Sequence, residues 1–569
     1  MPNVTISLIA DAPLPAPSPY TLVAFVAYMV GVFLLGALAH HLLERGSFLK
    51  EYFLGDRKLN AWVLGLTYVA TSVSAGSFVG FPSLIYRHGW IMALWIGGYM
   101  VSGLVSKGAL AKRLNQVSRL SGAITVPDVL RDRFQSPLLG LLAGILLLLF
   151  LVFNLVGQFK AGGLIMRQAC EGIVDTSFYQ TARTTTADSL TVTRIWHPTR
   201  TAEELGSFYG PRYPDYVLGI LIFALTVVGY TTYGGFWAVT WTDVLQGLVI
   251  VAGAILLMIL ALAKVGSLAE ATTSLRNLDS KLITGPGPDD YLPLSLAVSF
   301  FFLWTIGSMG QPVGMVRLMA CRDTPTLRRS LFMIGFYYAL IYFPLVVTFI
   351  CARALFPTRF IHESDSIMPA MALVVTDQMP LLGGLILAAP YAAAMSAVAG
   401  FLLLMSSSLV RDIYQHNINP TVSPRRVRWI SYGTTGVVGI IVTLAALRPP
   451  QFLQYLIIFT GAGMACTFLG PIVLGLYWRR ATKAGALASM ISGFSTVALL
   501  WTLGYLGIGK EGKTGAAGQT LAPLYVFGLD PLIHGLFISF MLGILVSLIT
   551  RPLPQRHVDT YFLADSPST

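Results

Sequence analysis

The chain has 569 residues, of which 55% are hydrophobic and 11% charged, against roughly 25% charged in an ordinary soluble protein. With a mean hydropathy of +0.70, this composition excludes a soluble enzyme and a disordered chain, and it indicates that the lipid bilayer is the main solvent. The formal net charge of +12 suits either nucleic-acid binding or basic residues collected in the cytoplasmic loops of a membrane protein.

The sequence predicts an all-α, polytopic membrane protein with about thirteen spanning helices, each an apolar stretch of about 20 residues. An odd number of spans places the two termini on opposite sides of the membrane. The predicted spans lie near residues 20–43, 60–86, 90–111, 138–166, 214–235, 237–264, 292–316, 328–356, 381–410, 427–448, 451–477, 483–508 and 530–550.

The basic residues separate the two sides of the membrane. The loop set holding 22 Lys and Arg comprises 44–59, 112–136, 317–329, 411–428, 479–483 and the C-terminal tail. The opposite set holds 7 in its short loops and 5 in the long loop 167–213. Because cytoplasmic loops carry the basic excess, we expect an external N-terminus and a cytoplasmic C-terminus. The net positive charge then reflects the orientation of the loops in the membrane, and it gives no reason to expect a nucleic-acid partner.

Spans 2 and 7 carry small polar residues and glycine where a plain membrane anchor would be apolar. Span 2 has Thr71, Ser72, Ser74, Gly76 and Ser77 at its centre. Span 7 contains the segment 304–312, which reads WTIGSMGQP. Such segments allow either close helix packing or a break in the helix, and a break is tolerated only against protein or a water-filled cavity.

Interrupted helices at matching positions of two five-span units indicate an inverted-repeat transporter with its site near the membrane midplane. We therefore expect residues 60–264 to form the first repeat (spans 2–6, with the external loop 167–213) and residues 265–477 the second (spans 7–11). The flanking segments are 1–59, with the external N-terminus, span 1 and a cytoplasmic loop, and 478–569, with peripheral spans 12 and 13 and the cytoplasmic tail. The predicted substrate-binding residues are Thr71, Ser72, Ser74, Gly76, Ser77, Gln158, Ser308 and Gln311.

Two charged residues inside predicted spans are candidates for coupling or gating. Asp243 is an intramembrane carboxylate, which usually lines an ion or proton path; the alternative is a salt bridge to a basic residue such as Arg317. Lys160 lies near the outer end of span 4, where it either snorkels to the interface or pairs with a substrate carboxylate or replaces a cation. Ser396, in a run of small residues in span 9, either offers an oxygen to sodium or bonds back to its own helix.

Several segments together resemble the sodium:solute symporter family. They are 68–80 (YVATSVSAGSFVG), 233–246 (YGGFWAVTWTDVLQ), 310–317 (GQPVGMVR), 388–396 (AAPYAAAMS) and 411–414 (RDIY). The resemblance runs from about residue 50 to 550, and spans 2 and 9 are most similar to the sodium/pantothenate branch.

This resemblance implies a leucine-transporter-type core, alternating access and sodium-driven uptake of a small organic solute, with sodium as the coupling ion. It places sodium on the carbonyls of Ala70, Val73 and Ala393 and on the hydroxyl of Ser396. The family pattern usually has a second Ser or Thr after that serine, whereas this chain has Ala397. It also associates Asp243 with ion coupling and the inward gate.

The leading hypothesis is a secondary transporter in the cell membrane that imports a carboxylate-bearing nutrient, such as pantothenate or another organic anion. A second reading keeps the fold but makes the carrier proton-coupled or uncoupled, using Asp243 and Lys160. A membrane-embedded enzyme would need a set of catalytic residues, and the sequence has no H-E-x-x-H and no G-x-S-x-G motif. A solute sensor would normally add a signalling domain, for which the tail after residue 550 is too short.

Overall fold

The computed structural model describes residues 14–15, 18–43, 60–103, 107–188, 213–361, 363–447, 453–508 and 522–562. Throughout these ranges the regular structure is helical apart from one isolated bridge residue. In the first half of the chain the α-helices are α1 (Pro19–Leu43), α2 (Ala61–Ser72), α3 (Phe81–His88), α4 (Leu94–Val101), α5 (Lys107–Ser121), α6 (Val126–Phe134), α7 (Pro137–Cys170), α8 (Ser177–Asp188), α9 (Tyr213–Val265) and α10 (Leu268–Leu278).

In the second half the α-helices are α11 (Leu294–Thr305), α12 (Pro312–Met319), α13 (Thr324–Leu355), α14 (Ile367–Val375), α15 (Pro380–Ser407), α16 (Pro424–Ala446), α17 (Leu453–Tyr477), α18 (Lys483–Tyr505), α19 (Pro531–Ile549) and α20 (Gln555–Phe562). Many of them begin at a polar residue whose side chain accepts a hydrogen bond from the first turn, often with proline next in the chain. Ser136 before α7 and Asp323 before α13 are examples. These caps satisfy backbone N–H groups that the helix itself leaves unpaired.

Ten helices of the described chain are long and apolar enough to cross a membrane uninterrupted, or eleven if one bent pair is counted as a single span. These ten match ten of the thirteen predicted spans. The other three lie near 60–86, 90–111 and 292–316. The first and the third contain a break between shorter helices, and the second includes residues 104–106, which lie outside the described ranges, so the count of thirteen is not confirmed. The protein is a multi-pass, all-α membrane protein.

Gly235 separates the two predicted spans within α9. Its φ of 59° and ψ of −163° interrupt the helix, a conformation that glycine adopts without the steric cost of a Cβ atom. The two halves, Tyr213–Thr232 and Gly234–Val265, are each long enough to cross the bilayer. The predicted turn at 448–450 lies outside the described residues, as do the part of the external loop after 188 and the loop 44–59.

Burial places α15 and α17 at the centre of the bundle. In their most apolar stretches 89% and 83% of residues are buried, compared with 28% in α1 and α19. Helix α2 packs against α9, α13 and α15, and α7 packs against α9, α15 and α17. The short helix α2, which borders the first break, is therefore enclosed by longer helices.

Candidate functional site

Helix α2 stops halfway through its predicted span. Ser72 is its last residue, and Val73 has an extended backbone with φ −80° and ψ 94°. The chain continues as a π-helix, Gly76–Gly80, and then as α3, and the axis bends by 58° across the break. Non-helical backbone at this depth must be satisfied by protein or by water in a cavity.

The N–H groups that follow the break make bonds outside the regular helix pattern. Ala75 N–H donates to Gln158 Oε1 at 2.8 Å, Gly76 N–H to Ser74 Oγ at 3.2 Å, and Ser77 N–H to the Ser74 carbonyl at 2.9 Å. In a continuous α-helix these three groups would bond to the carbonyls of residues 71, 72 and 73. The break therefore turns three donors away from those carbonyl oxygens, which is what a cation site built from backbone requires.

Gln158 is part of the support of the first break. Besides accepting from Ala75, it donates from Nε2 to Asn154 Oδ1 at 3.0 Å, and Asn154 donates to Thr460 Oγ1 at 3.0 Å. This chain of side chains joins the break to α7 and α17. Sequence reasoning named Gln158 but missed Asn154 and Thr460, although two amides spaced four residues apart on an apolar helix were a usable signal.

The second break separates α11 from α12. A 3₁₀ turn, Gly307–Gly310, follows α11, and Gln311 is extended with φ −89° and ψ 111° before Pro312 starts α12. A Cβ atom on Gly310 would lie 2.5 Å from the Ala465 Cα atom, so glycine allows this turn to approach α17 closely. Both helices that the sequence pattern marks as interrupted are broken.

The two broken helices lie next to each other. A Cβ atom on Gly314, in the first turn of α12, would fall 2.5 Å from the hydroxyl of Tyr68 in α2. The two breaks therefore face the same interior region of the bundle.

Asp243 holds four helices together beneath this region. Its Oδ2 lies 2.7 Å from Arg317 Nη2, on α12, and 3.4 Å from the hydroxyl of Thr71, on α2. Its Oδ1 accepts a hydrogen bond of 2.5 Å from Ser396 Oγ, on α15. All four residues are buried, with exposures of 5% or less. The salt bridge to Arg317 that sequence analysis left as an alternative is present, together with hydroxyl contacts that it did not foresee.

The four residues that the resemblance assigns to sodium are buried where α2 and α15 adjoin. Ala70, Val73, Ala393 and Ser396 are all 0% exposed. Thr71, next to Ala70, and Ser396 contact the two oxygens of one carboxylate. Ala397 is equally buried and supplies no side-chain oxygen.

A cavity of about 60 Å³ lies between the two breaks. Its lining includes seven of the eight predicted substrate residues: Thr71, Ser72, Ser74, Gly76, Ser77, Ser308 and Gln311. Gln158 does not line it, since its amide is occupied with the break. None of the lining residues carries a charge. The volume is well below the roughly 300 Å³ at which ligand pockets begin, so a solute requires the cavity to widen.

An aromatic wall on one side of the cavity was not foreseen. Tyr99 stacks on Trp304 with ring centroids 4.7 Å apart and on Tyr342 at 4.0 Å. The Tyr342 hydroxyl lies 2.6 Å from Ser77 Oγ, and Tyr338 also lines the cavity. Aromatic residues make up 12% of this chain, so their presence in these spans gave no distinguishing signal.

Lys160 is buried rather than snorkelling to the lipid surface. Its Nζ lies 2.6 Å from Asp365 Oδ2, and the side chains are only 7% and 8% exposed. Asp365 Oδ2 also accepts a bond from the Leu453 N–H at the start of α17. Because Asp365 compensates its charge, the Lys160 ammonium remains buried instead of extending to water. Lys160 is not among the residues that line the cavity.

The chain is similar to characterised carriers over most of its length. It is 32% identical to the sodium/pantothenate symporter of Escherichia coli (strain K12), a match covering 85% of this chain and 91% of that protein. It is 26% identical to the osmoregulated proline transporter OpuE of Bacillus subtilis (strain 168), covering 92% and 94%.

Solved structures share the fold. A Na⁺-coupled sialic acid symporter, solved in a substrate-bound outward-open state, superposes with a TM-score of 0.67 at 18% identity, covering 94% of this chain and 99% of that one. Mhp1, a nucleobase-cation-symport-1 family transporter, gives a TM-score of 0.50 at 13% identity, covering 90% and 98%. The model of the sodium:solute symporter family matches residues 52–186 and 214–493. The chain belongs to the sodium:solute symporter family.

Proposed function

We propose that the protein imports a small organic solute by alternating access, driven by an inward sodium gradient. The observation that carries this proposal is the pair of broken helices facing one enclosed cavity, with a buried carboxylate joining both to α15. The repeats would span 60–264 and 265–477, as the positions of the two breaks suggest. The distribution of basic residues supports an external N-terminus and a cytoplasmic C-terminus.

The proposed sodium ligands are the carbonyls of Ala70, Val73 and Ala393 and the hydroxyl of Ser396. A hard cation prefers oxygen ligands, and the break in α2 directs donors away from the carbonyl of Val73. Because Ser396 donates its proton to Asp243, only its lone pairs are left to face a cation. Ala397 leaves the site with one hydroxyl fewer than the family pattern, so we expect weak sodium binding.

The proposed solute is a carboxylate-bearing nutrient, of which pantothenate is the first candidate. The E. coli relative is named for that solute. The uncharged lining suits hydroxyl and amide groups, and Val313 and Gly314 in the first turn of α12 line the cavity. A helix amino terminus favours a negative group, so the solute carboxylate would be held there without a buried arginine or lysine.

The proposed coupling residue is Asp243, because it contacts α2, α12 and α15 at once. Movement of either half-helix during alternating access must change at least one of these contacts. For Lys160 we propose a role in gating by position only. Its pair with Asp365 fixes the outer end of α7 to the start of α17.

Uptake into proteoliposomes tests the function. Purified protein is supplied with radiolabelled pantothenate, proline and other organic acids under an inward sodium gradient, with choline replacing sodium at fixed pH as the control. We expect accumulation of pantothenate only with sodium. Accumulation of another solute under the same gradient would change the assigned substrate and leave the proposed mechanism intact. Undiminished uptake in choline would refute sodium coupling.

Ala397 and the Asp243–Arg317 ion pair favour one alternative, a carrier that is proton-coupled or uncoupled. In that case Arg317 serves permanently as the counter-charge of Asp243. The same vesicles with a pH gradient and no sodium distinguish it, because a proton-coupled carrier would then accumulate solute and an uncoupled one would only equilibrate it.

A further inference from the structure

A deep groove lies on the lipid-facing side of the bundle, between the first half of α9 and α16. The two helices run antiparallel, since the hydroxyls of Tyr213 and Tyr216 donate to the carbonyls of Leu447 and Ala446. The groove has a volume of about 620 Å³. It is separate from the central cavity and shares no lining residue with it.

Glycine residues make the groove deep. A Cβ atom on Gly439 would lie 2.5 Å from the side chain of Val228, so α16 approaches α9 closely at this point. A Cβ atom on Gly229 would meet nothing within 4 Å, so that position opens into the groove. On α16 the lining runs from Tyr432 to Leu444, a length of about 18 Å at 1.5 Å per residue. This is close to the thickness of one leaflet of a hydrocarbon core of about 30 Å.

One end of the groove is basic and aromatic. Helix α16 begins with the sequence PRRVRW, in which Arg425, Arg426 and Arg428 are exposed and Trp429 is 66% exposed. Arg425 precedes Tyr432 by seven residues, which places it on the same face of the helix. The segment contains no acidic residue. Exposed tryptophan and arginine at a helix end are typical of the level of the lipid headgroups.

We propose that this groove binds an anionic phospholipid, with one acyl chain between α9 and α16 and the phosphate beside Arg425 at the start of α16. The charge selects this occupant over a second copy of the chain. A two-fold dimer on this face would bring the same arginine-rich end of each copy together, and like charges facing each other oppose association. An anionic headgroup instead neutralises them, as basic pockets between membrane helices do for such lipids.

Native mass spectrometry of the full chain in detergent, titrated with phosphatidylglycerol or phosphatidylcholine, tests the proposal. We expect the wild-type protein to retain phosphatidylglycerol preferentially. An added Cβ atom at Gly229 would meet nothing within 4 Å, so Gly229→Leu places its side chain in the groove and should abolish retention, whereas Gly97→Leu, at an exposed glycine with equally open surroundings on α4, should not. Arg425→Gln should weaken phosphatidylglycerol binding about fivefold and leave phosphatidylcholine unchanged. Arg328→Gln, at an exposed arginine on α13, is its control.

Thermal unfolding shows that each variant is folded before lipids are compared. Wild-type retention in folded Gly229→Leu would overturn the proposal, as would equal binding of the two lipids by the wild-type protein. A dimer that Gly229→Leu dissociates, without any lipid preference, would assign the groove to a second copy instead.

Discussion

Two buried ion pairs of this protein look alike and differ in what they connect. Asp243–Arg317 and Lys160–Asp365 are both salt bridges below 3 Å between side chains that are at most 8% exposed. Asp243 also receives hydroxyl groups from two further helices, and its arginine sits on a half-helix just beyond a break. Asp365 receives a backbone N–H at the start of α17. It lies in the 3₁₀ turn Ser364–Ser366, which packs against α3, the second half of the first broken span.

This difference indicates which buried charge changes its contacts during the transport cycle. Movement of α2 relative to α12 changes the contacts of Asp243 directly, because both half-helices contact its carboxylate. Lys160 and Asp365 lie instead on α7 and on the turn before α14. Burial and pairing alone do not distinguish a coupling residue from a structural one, since both pairs have them. The distinguishing observation is that half-helices of both broken spans contact the Asp243 carboxylate itself.

Replacing the carboxylate at the centre of this comparison should give the largest effect. In Asp243→Asn the Arg317 guanidinium stays buried without its counter-charge, and breaking a buried pair costs about 3–5 kcal/mol. We expect sodium-driven accumulation to fall by at least about a hundredfold, measured as uptake into proteoliposomes with protein amount matched.

The double variant Asp243→Asn, Arg317→Gln is the control for misfolding, because it removes both charges. It should regain the wild-type melting temperature and remain unable to accumulate solute. If accumulation returned with it, Asp243 would be structural and the two ion pairs would be equivalent.

Lys160→Met should act on stability rather than on coupling. It leaves Asp365 buried and uncompensated, for which we expect a loss of about 3 kcal/mol, seen as a lower midpoint in thermal unfolding. Lys160→Met combined with Asp365→Leu removes both charges and should recover most of that loss. Its sodium dependence of uptake should match the wild type, and a changed sodium dependence in this folded double variant would give Lys160 a part in coupling.

Ser396→Ala tests whether the hydroxyl beside Asp243 belongs to the sodium site. The variant loses one oxygen and one hydrogen bond to a charged group, a bond worth about 1.5–3 kcal/mol. We expect apparent sodium affinity to fall about tenfold, with a smaller change in solute affinity, measured by uptake at varied sodium concentration. Unchanged sodium dependence would remove Ser396 from the site and leave it as a partner of Asp243.

The sequence predicts the helices well because twenty apolar residues in a row have few other uses. It also predicts both breaks, since Gly, Ser and Pro at mid-span conflict with a regular helix. It predicts seven of the eighteen residues that line the cavity for the same reason: residues of the breaks are the ones whose backbone must face an interior space.

Contacts between distant segments could not be predicted in the same way. The ion pair of Lys160 with Asp365 joins positions 205 residues apart, and no periodicity in either segment specifies the other. The stacking of Tyr99 on Trp304 and Tyr342 likewise depends on how three helices pack. Arg317 was predictable as a partner of Asp243 only because both were expected near the same membrane surface.

Ala397→Ser should give the smallest effect and the sharpest test of the sodium site. The position is fully buried directly after Ser396, so a serine there adds an oxygen near the proposed ligands without changing the charge of the ion pair. If sodium binds there, apparent sodium affinity should rise about fivefold, equivalent to a net gain of about 1 kcal/mol.

Ala388→Ser is the matched control, since it is equally buried in α15 but nine residues away, on the opposite side of the helix. A gain of sodium affinity in Ala397→Ser alone would locate the ion beside α15. Equal behaviour of the two variants would place sodium elsewhere, and Asp243 would then act without an ion as its neighbour.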